Sequence, residues 1–509
     1  MSELFQQSLG DKNVKSLNSA DLTVTTEQKF PTGSQLKWLI TALLIYFGLR
    51  LIFFATNISP YVPPDEVTHF GVSKVFSKVF LLPLNSPESY QFGMVTNIPW
   101  FYYWTMGKLL HLNFFGISDL LYLRLLNIPL AFGTIYFTWR ILRLLTDDRL
   151  TQILLLVAIT NTLMFSFLSA SVSPDNLTNL LAMMAIYCLF AFFKEKSGQM
   201  LIASILCQMA GSLTKITFLP LILILNIILI INEFKNSPMI LPSLKAYFKT
   251  LNNVGLSLVL GVFFCLLLNI QLYGGNYFKF GSLFPRMIDI MPIENAMQYR
   301  LAARNYIFEQ FRQGHISIEK AREMASHITH EGDRKDTINL VQHYADMESN
   351  GIQLMSPLGY TAFWGVQMLA TSYGIKAHIG MPNQRLSFIS LSLLLLLTAV
   401  AIFARWRPRD NFWMPTYMAV ISLFYAFILI YRINYPNYID SKDIELTVAG
   451  RYIFPVIGPI YVTSSYYLMQ LFRSRYARLA CAICAAVIFV MSDFPFFMSH
   501  VTPEWFDGH

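Results

Sequence analysis

The chain has 509 residues, of which 54% are hydrophobic and 13% charged, with a mean hydropathy of +0.46. So few charges cannot cover a soluble surface of this size, and repeated apolar runs of about twenty residues read as membrane-crossing helices, which excludes a soluble domain and predicts an all-α polytopic membrane protein. The net charge of +8 and pI near 9.0 require no nucleic acid, because an excess of Lys and Arg on cytoplasmic loops is ordinary for such a protein.

Residues 1–34 are polar and mixed in charge, with no apolar h-region and no small-residue cleavage site, so they read as a cytoplasmic tail rather than a signal peptide. The apolar runs then place about eleven spans, near 36–56, 120–142, 150–170, 176–193, 199–213, 217–232, 252–272, 387–404, 412–431, 451–471 and 477–496. An odd count puts the termini on opposite sides. With the N-terminus inside, the basic residues gather on the inner turns: Arg140, Arg143 and Arg149; Lys194 and Lys196; Lys235, Lys245 and Lys249; Arg405, Arg407 and Arg409; Arg473, Arg475 and Arg478. Of the short opposite turns, Ser171 to Asn176 has no basic residue and the loop around Thr214 has only Lys215, and the C-terminal tail is acidic at Asp493, Glu504 and Asp507.

Asn97 to Leu112 is apolar and aromatic but short for a crossing, and it carries Lys108 and His111, so it is expected to lie at the outer interface. Two larger regions fall on the outer side, 57–119 and 274–385. The second shows helical periodicity at Glu294–Gln313, Ser317–Thr329 and Lys335–Ser349, ended by Gly314, Gly332 and Gly351, and reads as a small extracytoplasmic helical cap. The predicted organisation is therefore the tail 1–34, an N-terminal transmembrane module 35–273 with its first outer loop 57–119, the cap 274–385, and a C-terminal transmembrane module 386–509. Cys188, Cys207, Cys265, Cys481 and Cys484 all sit in apolar runs and read as buried small hydrophobes, the Cys481-x-x-Cys484 pair included.

The polar residues near the membrane concentrate at the predicted outer ends of different helices. Pro63-Pro64-Asp65-Glu66 follows the first span, Arg124 opens the second, Asp175 stands in Ser-Pro-Asp, Lys215 interrupts an apolar stretch, and Arg451 opens the tenth span. Each has a plain structural reading: Arg124 and Arg451 as snorkelling anchors, Asp175 as a helix N-terminal acid, His69 as a hydrogen-bonded neighbour of Asp65. His315, His327, His330 and His343 of the cap lack metal-ligand spacing and read as solvated. Together, acids able to activate a hydroxyl and cations able to hold a phosphate at one membrane face point to a lipid-phosphate substrate.

Asp65-Glu66-Val67-Thr68-His69-Phe70-Gly71 resembles the acidic motif of GT-C glycosyltransferases, including the first loop of protein O-mannosyltransferases. The closer resemblance is to bacterial membrane proteins of GT-C type, in which a Pro-Asp-Glu-x-x-His-Phe step near the start is joined by a Gly-Arg-Tyr step near the end, here Gly450-Arg451-Tyr452. Between them, Asn97 to Tyr103 resembles the juxtamembrane aromatic helix, Arg124-Leu125-Leu126 the start of the next span, and Leu213-Thr214-Lys215 a Leu-Thr-Lys step of the aminoarabinose-transferase-like branch. Where similar sequences often carry Gln before Gly-Arg-Tyr, this chain has Ala449.

The resemblance implies a GT-C-like bundle in the bacterial inner membrane and inverting transfer of a sugar, glucose being the expected one, from a polyprenyl-phosphate carrier such as undecaprenyl phosphate. The acceptor is expected to be a cell-envelope glycan or lipid-linked glycan, such as the O-antigen of lipopolysaccharide, at the outer face. It assigns Asp65 as general base, Glu66 to orient the acceptor, hold a cation or position His69, and Lys215 and Arg451, with Arg124 as a third, to the phosphate. Asp175, Tyr452, Tyr102 and Tyr103 complete the expected substrate site, and Trp100 and Trp364 either line a sugar or anchor in the interface. No metal is expected, the alternative being a divalent cation (Mg or Mn) on Asp65, Glu66 and Asp175. The competing readings are a lipid-linked oligosaccharide polymerase or ligase, a lipid-linked saccharide transporter and a non-enzymatic subunit.

Overall fold

Each apolar run becomes a helix in the computed structural model, which describes residues 33–235, 239–328, 331–351, 354–383, 386–405 and 413–506. Most of the predicted tail, together with His330, Arg407, Arg409 and Asp507, lies outside the described residues. In chain order come α1 (Gly33–Asn57), α2 (Glu66–Ser77), α3 (Phe101–Leu110), α4 (Asp119–Leu145), α5 (Arg149–Thr160), α6 (Leu163–Ser169), α7 (Pro174–Glu195), α8 (Gly198–Ser212), α9 (Leu219–Lys235), α10 (Ile240–Lys249) and α11 (Asn253–Phe280). There follow α12 (Arg300–Arg312), α13 (Ile318–Ser326), α14 (Glu331–Asn350), α15 (Pro357–Tyr373), α16 (Leu386–Arg405), α17 (Trp413–Ser441), α18 (Ile457–Leu471) and α19 (Arg475–Met491).

Seven of the described helices are long and apolar enough to cross a bilayer, and the pair α5–α6 makes an eighth, bent by 64°. The sequence reads 150–170 as one span, and the break has local features: the Asn161 side chain shares the Val157 carbonyl with its own backbone N–H, and Thr162 Oγ1 donates to the Ala158 carbonyl, the acceptor the next ladder bond would use. The freed Thr160 carbonyl accepts from Arg50 Nη2 at 2.7 Å. The runs predicted at 199–213, 387–404 and 451–471 are helices α8, α16 and α18. The spans predicted to stop at 272 and 431 instead continue through π-helical turns at Ile270–Gly274 and Leu429–Asn434, so the extramembrane segments that follow begin later than expected.

Helix α7 is the centre of the bundle. Its start combines an N-cap Ser173, Pro174 at the first helical position and Asp175 in the first turn, and almost all of its length is buried, packed on α4 and α8. By contrast α3 is ten residues, about 15 Å, half the hydrocarbon thickness, and so does not cross. It lies on α2, where a Cβ on Gly107 would stand 2.7 Å from the Ser73 carbonyl, so glycine is what allows the two helices this close.

One end of the bundle gathers the basic turns: Arg478 pairs with Asp148 at 2.7 Å, Lys194 Nζ donates to the Leu144 carbonyl at 3.0 Å, and Arg405 to that of Leu471 at 3.3 Å. The start of α4 lies at the other end, with α2, α3 and the cap helices. Helices α12, α13 and α14 enclose a small core of Ala303, Ile307, Ala321, Ala325, Ile328 and Val341. Gly314 and Gly351 end helices at positive φ, +72° and +60°, but Gly332 sits in the first turn of α14, so the third cap helix starts earlier than its sequence pattern suggests. Helix α15, which the apolar runs do not reveal, buries Tyr360, Trp364 and Met368 in the main core and belongs to the bundle. Nor is the C-terminal segment a free acidic tail: Asp493 is wholly buried in an ion pair with Arg50, and the Trp505 carbonyl accepts from the Ser59 N–H at 2.9 Å.

Candidate active site

The two adjacent carboxylates go to opposite sides. Pro63 and Pro64 restrict the approach, and Asp65 takes the left-handed conformation at φ 60°, which Asp tolerates better than most residues. Helix α2 then starts at Glu66, whose side chain points into the bundle. Glu66 accepts from Arg124 Nε at 2.9 Å and Nη2 at 2.5 Å and from the Val172 N–H at 2.8 Å. The remaining Arg124 nitrogen donates to the Ala55 and Ile58 carbonyls at 3.0 and 2.7 Å. Both side chains are at most 2% exposed, and the pair staples α1, α2, α4 and the turn before α7 together. Arg124 is thereby engaged at Nε, Nη1 and Nη2, leaving it without a free group for the phosphate role expected of it.

Asp65 points the other way and is a quarter exposed. Arg451 Nη2 donates to its Oδ2 at 3.2 Å, and Arg300 of the cap pairs with its Oδ1. Arg451 is delivered by the 3₁₀ turn Gly450–Val456, which lies tight on the end of α15: the Gly450 N–H donates to Thr371 Oγ1 at 2.8 Å, and a Cβ on Gly450 would stand 2.5 Å from the Ser372 nitrogen. Only glycine fits there, which accounts for the first letter of Gly-Arg-Tyr.

Lys215 lies in the extended break between α8 and the turn that begins α9, and pairs with Asp175, itself held by Ser173 Oγ at 3.3 Å. Both cations sit over one ring, Lys215 Nζ at 5.7 Å and the Arg451 guanidinium at 5.1 Å from the centroid of Tyr452, whose hydroxyl accepts from Arg451 Nη2 at 3.3 Å. Residues from five separate stretches, around 65, 175, 215, 300 and 451, thus form one charged cluster. Within it, Arg451 Nε is buried with no partner among the described residues.

Burial acts to raise the Asp65 carboxyl, but the Arg451 and Arg300 guanidiniums beside it outweigh burial and hold Asp65 well below the usual carboxylate range. His69 is pushed down to about 4 by burial, against the pull of Asp65, so the ring is neutral near pH 7, with the Tyr103 hydroxyl at 2.9 Å from its Nδ1. Tyr103 and His69 therefore border the cluster, whereas Tyr102 is fully buried and donates to Asn127 Oδ1 at 3.1 Å, away from any surface where a sugar would sit. Trp364 is likewise buried, its Nε1 bonded to Asn434 at 2.9 Å.

Sequence reasoning missed Arg300, Asp333 and His378. Arg300 and Asp333 lie on the charged helices of the cap, to which the sequence assigns no part in the site. His378 stands in the loop Gly374–Asn383, closed by an Ile375–Met381 bridge, and its Nε2 receives the Asp65 N–H at 3.4 Å. The oxygen set suggested for a divalent cation does not converge: Glu66 faces Arg124, Asp65 faces Arg300 and Arg451, and Asp175 faces Lys215.

Fold and site together define an all-α polytopic membrane protein that carries a cluster of paired carboxylates and cations at one end of its bundle. No family model and no curated protein matches the chain. Among solved structures it is similar to the crystal structure of ArnT from Cupriavidus metallidurans in the apo state, with 11% identity and a TM-score of 0.35 over 92% of this chain and 82% of that one.

Proposed function

We propose that this protein is an inverting glycosyltransferase of the bacterial inner membrane that moves a hexose, glucose by expectation, from a polyprenyl-phosphate carrier to a hydroxyl of a cell-envelope glycan such as O-antigen. The observation that carries the reading is the pairing of a partly exposed carboxylate, Asp65, with a buried guanidinium, Arg451, whose Nε has no partner among the described residues. A buried guanidinium N–H without a partner is costly, and a phosphate oxygen is the acceptor that matches it best.

In this mechanism the acceptor oxygen attacks the anomeric carbon as the bond from that carbon to the phosphate oxygen breaks. The hydroxyl proton passes to Asp65, and the electron pair of the broken bond leaves with the polyprenyl phosphate. Arg451 and Lys215 stabilise the charge that grows on the phosphate, and Asp175 holds Lys215. One displacement gives inversion. Glu66 and Arg124 act as the staple that fixes Asp65, not as reacting groups. The basic turns of the opposite end support this orientation, with that end and the N-terminus in the cytoplasm and the site at the outer face.

The test is transfer from radiolabelled polyprenyl-phosphate glucose to a lipid-linked envelope glycan by purified protein in lipid, for wild type and Asp65→Asn. Asn is the right substitute because it also tolerates the left-handed backbone at this position. Loss of about 10²- to 10⁴-fold in the folded variant is expected; equal transfer refutes Asp65 as base. A requirement for a donor already carrying an oligosaccharide would favour the polymerase or ligase reading.

A further inference from the structure

The cap meets the site through two consecutive residues. The Tyr299 ring lies on Gly93, where a Cβ would stand 3.1 Å from it, and this seats the start of α12 on the first outer loop. Arg300 then forks, its Nη2 pairing with Asp65 Oδ1 and its Nη1 donating to Asp333 Oδ1 at 3.1 Å. With Arg451 on Oδ2, both oxygens of Asp65 are covered by guanidiniums, in a side chain that is only a quarter exposed. A carboxylate so covered is a poor proton acceptor, since each oxygen already holds a guanidinium and both cations favour its charged form. The fork that covers it suits a phosphate equally well, and a phosphate leaving a sugar gains charge where a resting carboxylate does not.

We propose that Arg300 is a further donor-binding residue: it leaves Asp65 for the phosphate of the lipid-linked sugar while Asp333 keeps its other arm, so that arrival of the donor uncovers the base. The cap thereby contributes a third cation beside Arg451 and Lys215, and the base is open only when there is a phosphate to transfer from. This rests on the function proposed above, and the test separates the two.

Binding of radiolabelled polyprenyl phosphate to the full-length protein in nanodiscs is measured for wild type, Arg300→Gln, Arg300→Lys and Asp333→Asn. Arg300→Gln is expected to weaken binding about tenfold, as for loss of one charge-assisted hydrogen bond, with Arg300→Lys recovering most of it. Asp333→Asn, which leaves the cap fold its helix but frees Arg300 to stay on Asp65, is expected to weaken binding by a smaller factor, and it carries the test if Arg300→Gln does not fold. In transfer assays Arg300→Gln raises the donor KM more than it lowers kcat. Wild-type affinity in both Arg300→Gln and Asp333→Asn, or a loss in Arg300→Lys as large as in Arg300→Gln, overturns the assignment while leaving the glycosyltransferase reading intact. Failure of the wild type itself to bind polyprenyl phosphate overturns the function and this inference with it.

Discussion

Glu66→Gln separates scaffold from chemistry at the acidic pair. The wild-type carboxylate receives two bonds from Arg124 and one from the Val172 N–H, and neither partner of the ion pair is more than 2% exposed. Gln keeps the size and one acceptor but removes the countercharge, leaving a guanidinium in the interior that is bonded only to neutral oxygens, those of the new amide and of the Ala55 and Ile58 carbonyls. Breaking a buried pair from one side costs about 3–5 kcal/mol, and the two surviving carbonyl bonds put this case near the lower limit, about 3 kcal/mol. Arg124→Met strands the carboxylate instead and costs a similar amount. The double variant Glu66→Met/Arg124→Met strands neither charge, so its loss should fall short of the summed single losses by about 1.5 kcal/mol or more. Thermal unfolding of the purified proteins in one detergent measures these differences, and transfer at a temperature where every variant is folded measures the chemistry. Glu66→Gln should keep transfer within about tenfold of wild type while Asp65→Asn does not. A Glu66→Gln protein with wild-type unfolding and abolished transfer, or strictly additive single and double variants, would refute the staple and return Glu66 to the reacting groups.

Lys215→Gln and Arg451→Gln should each lower transfer about 10- to 100-fold, as for a charge-assisted bond to a developing phosphate charge, and kcat should fall with kcat/KM because that charge grows only in the transition state. His69 gives a pH signature. Its folded-state pKa of about 4 lies below the ordinary 6.5, so between those values the unfolded chain holds a proton that the fold refuses. Stability is therefore full above about pH 6.5 and falls as the pH drops toward 4, by up to about 3 kcal/mol at roughly 1.4 kcal/mol per pH unit. Asp65, held low, adds its own loss only below the ordinary carboxylate range, near pH 4. Unfolding midpoints at pH 7 and pH 5 should converge in His69→Gln; an unchanged slope would show that another group sets it.

The membrane helices were legible because a span declares itself by length alone: about twenty apolar residues have few other uses. Helix α15 was not, since its Thr, Ser, Gln and Tyr residues dilute the apolar signal while their bonds to neighbouring helices make burial affordable, as Thr361 to the Tyr431 hydroxyl at 2.8 Å. The candidate site divides the same way. Asp65 and Glu66 stand out in sequence because acids beside hydrocarbon need a reason, but one step of chain turns one toward solvent and the other into the core, and nothing local says which. The deciding partners are remote: Arg124 lies 58 positions from Glu66, and Arg300 lies 235 from Asp65.

Charge in a membrane protein is read correctly only in pairs, and the chain shows this at three depths. Arg50, within a span, looks prohibitive until Asp493, from the far end of the sequence, is placed against it. Glu66 and Arg124 look like two candidates for chemistry until they are found satisfying each other. Asp65 is the reverse case, because its partners, Arg300 and Arg451, are on segments that each have another use for a cation, one in the cap and one over the Tyr452 ring beside Lys215. The Glu66–Arg124 pair, fully buried and fully bonded, has no reason to separate, whereas a carboxylate a quarter exposed, shared between two cations on different segments, can give them up to a better anion. That difference in exposure and sharing, more than the identity of the residues, is what sets Asp65 apart from Glu66 as the acid we propose to react.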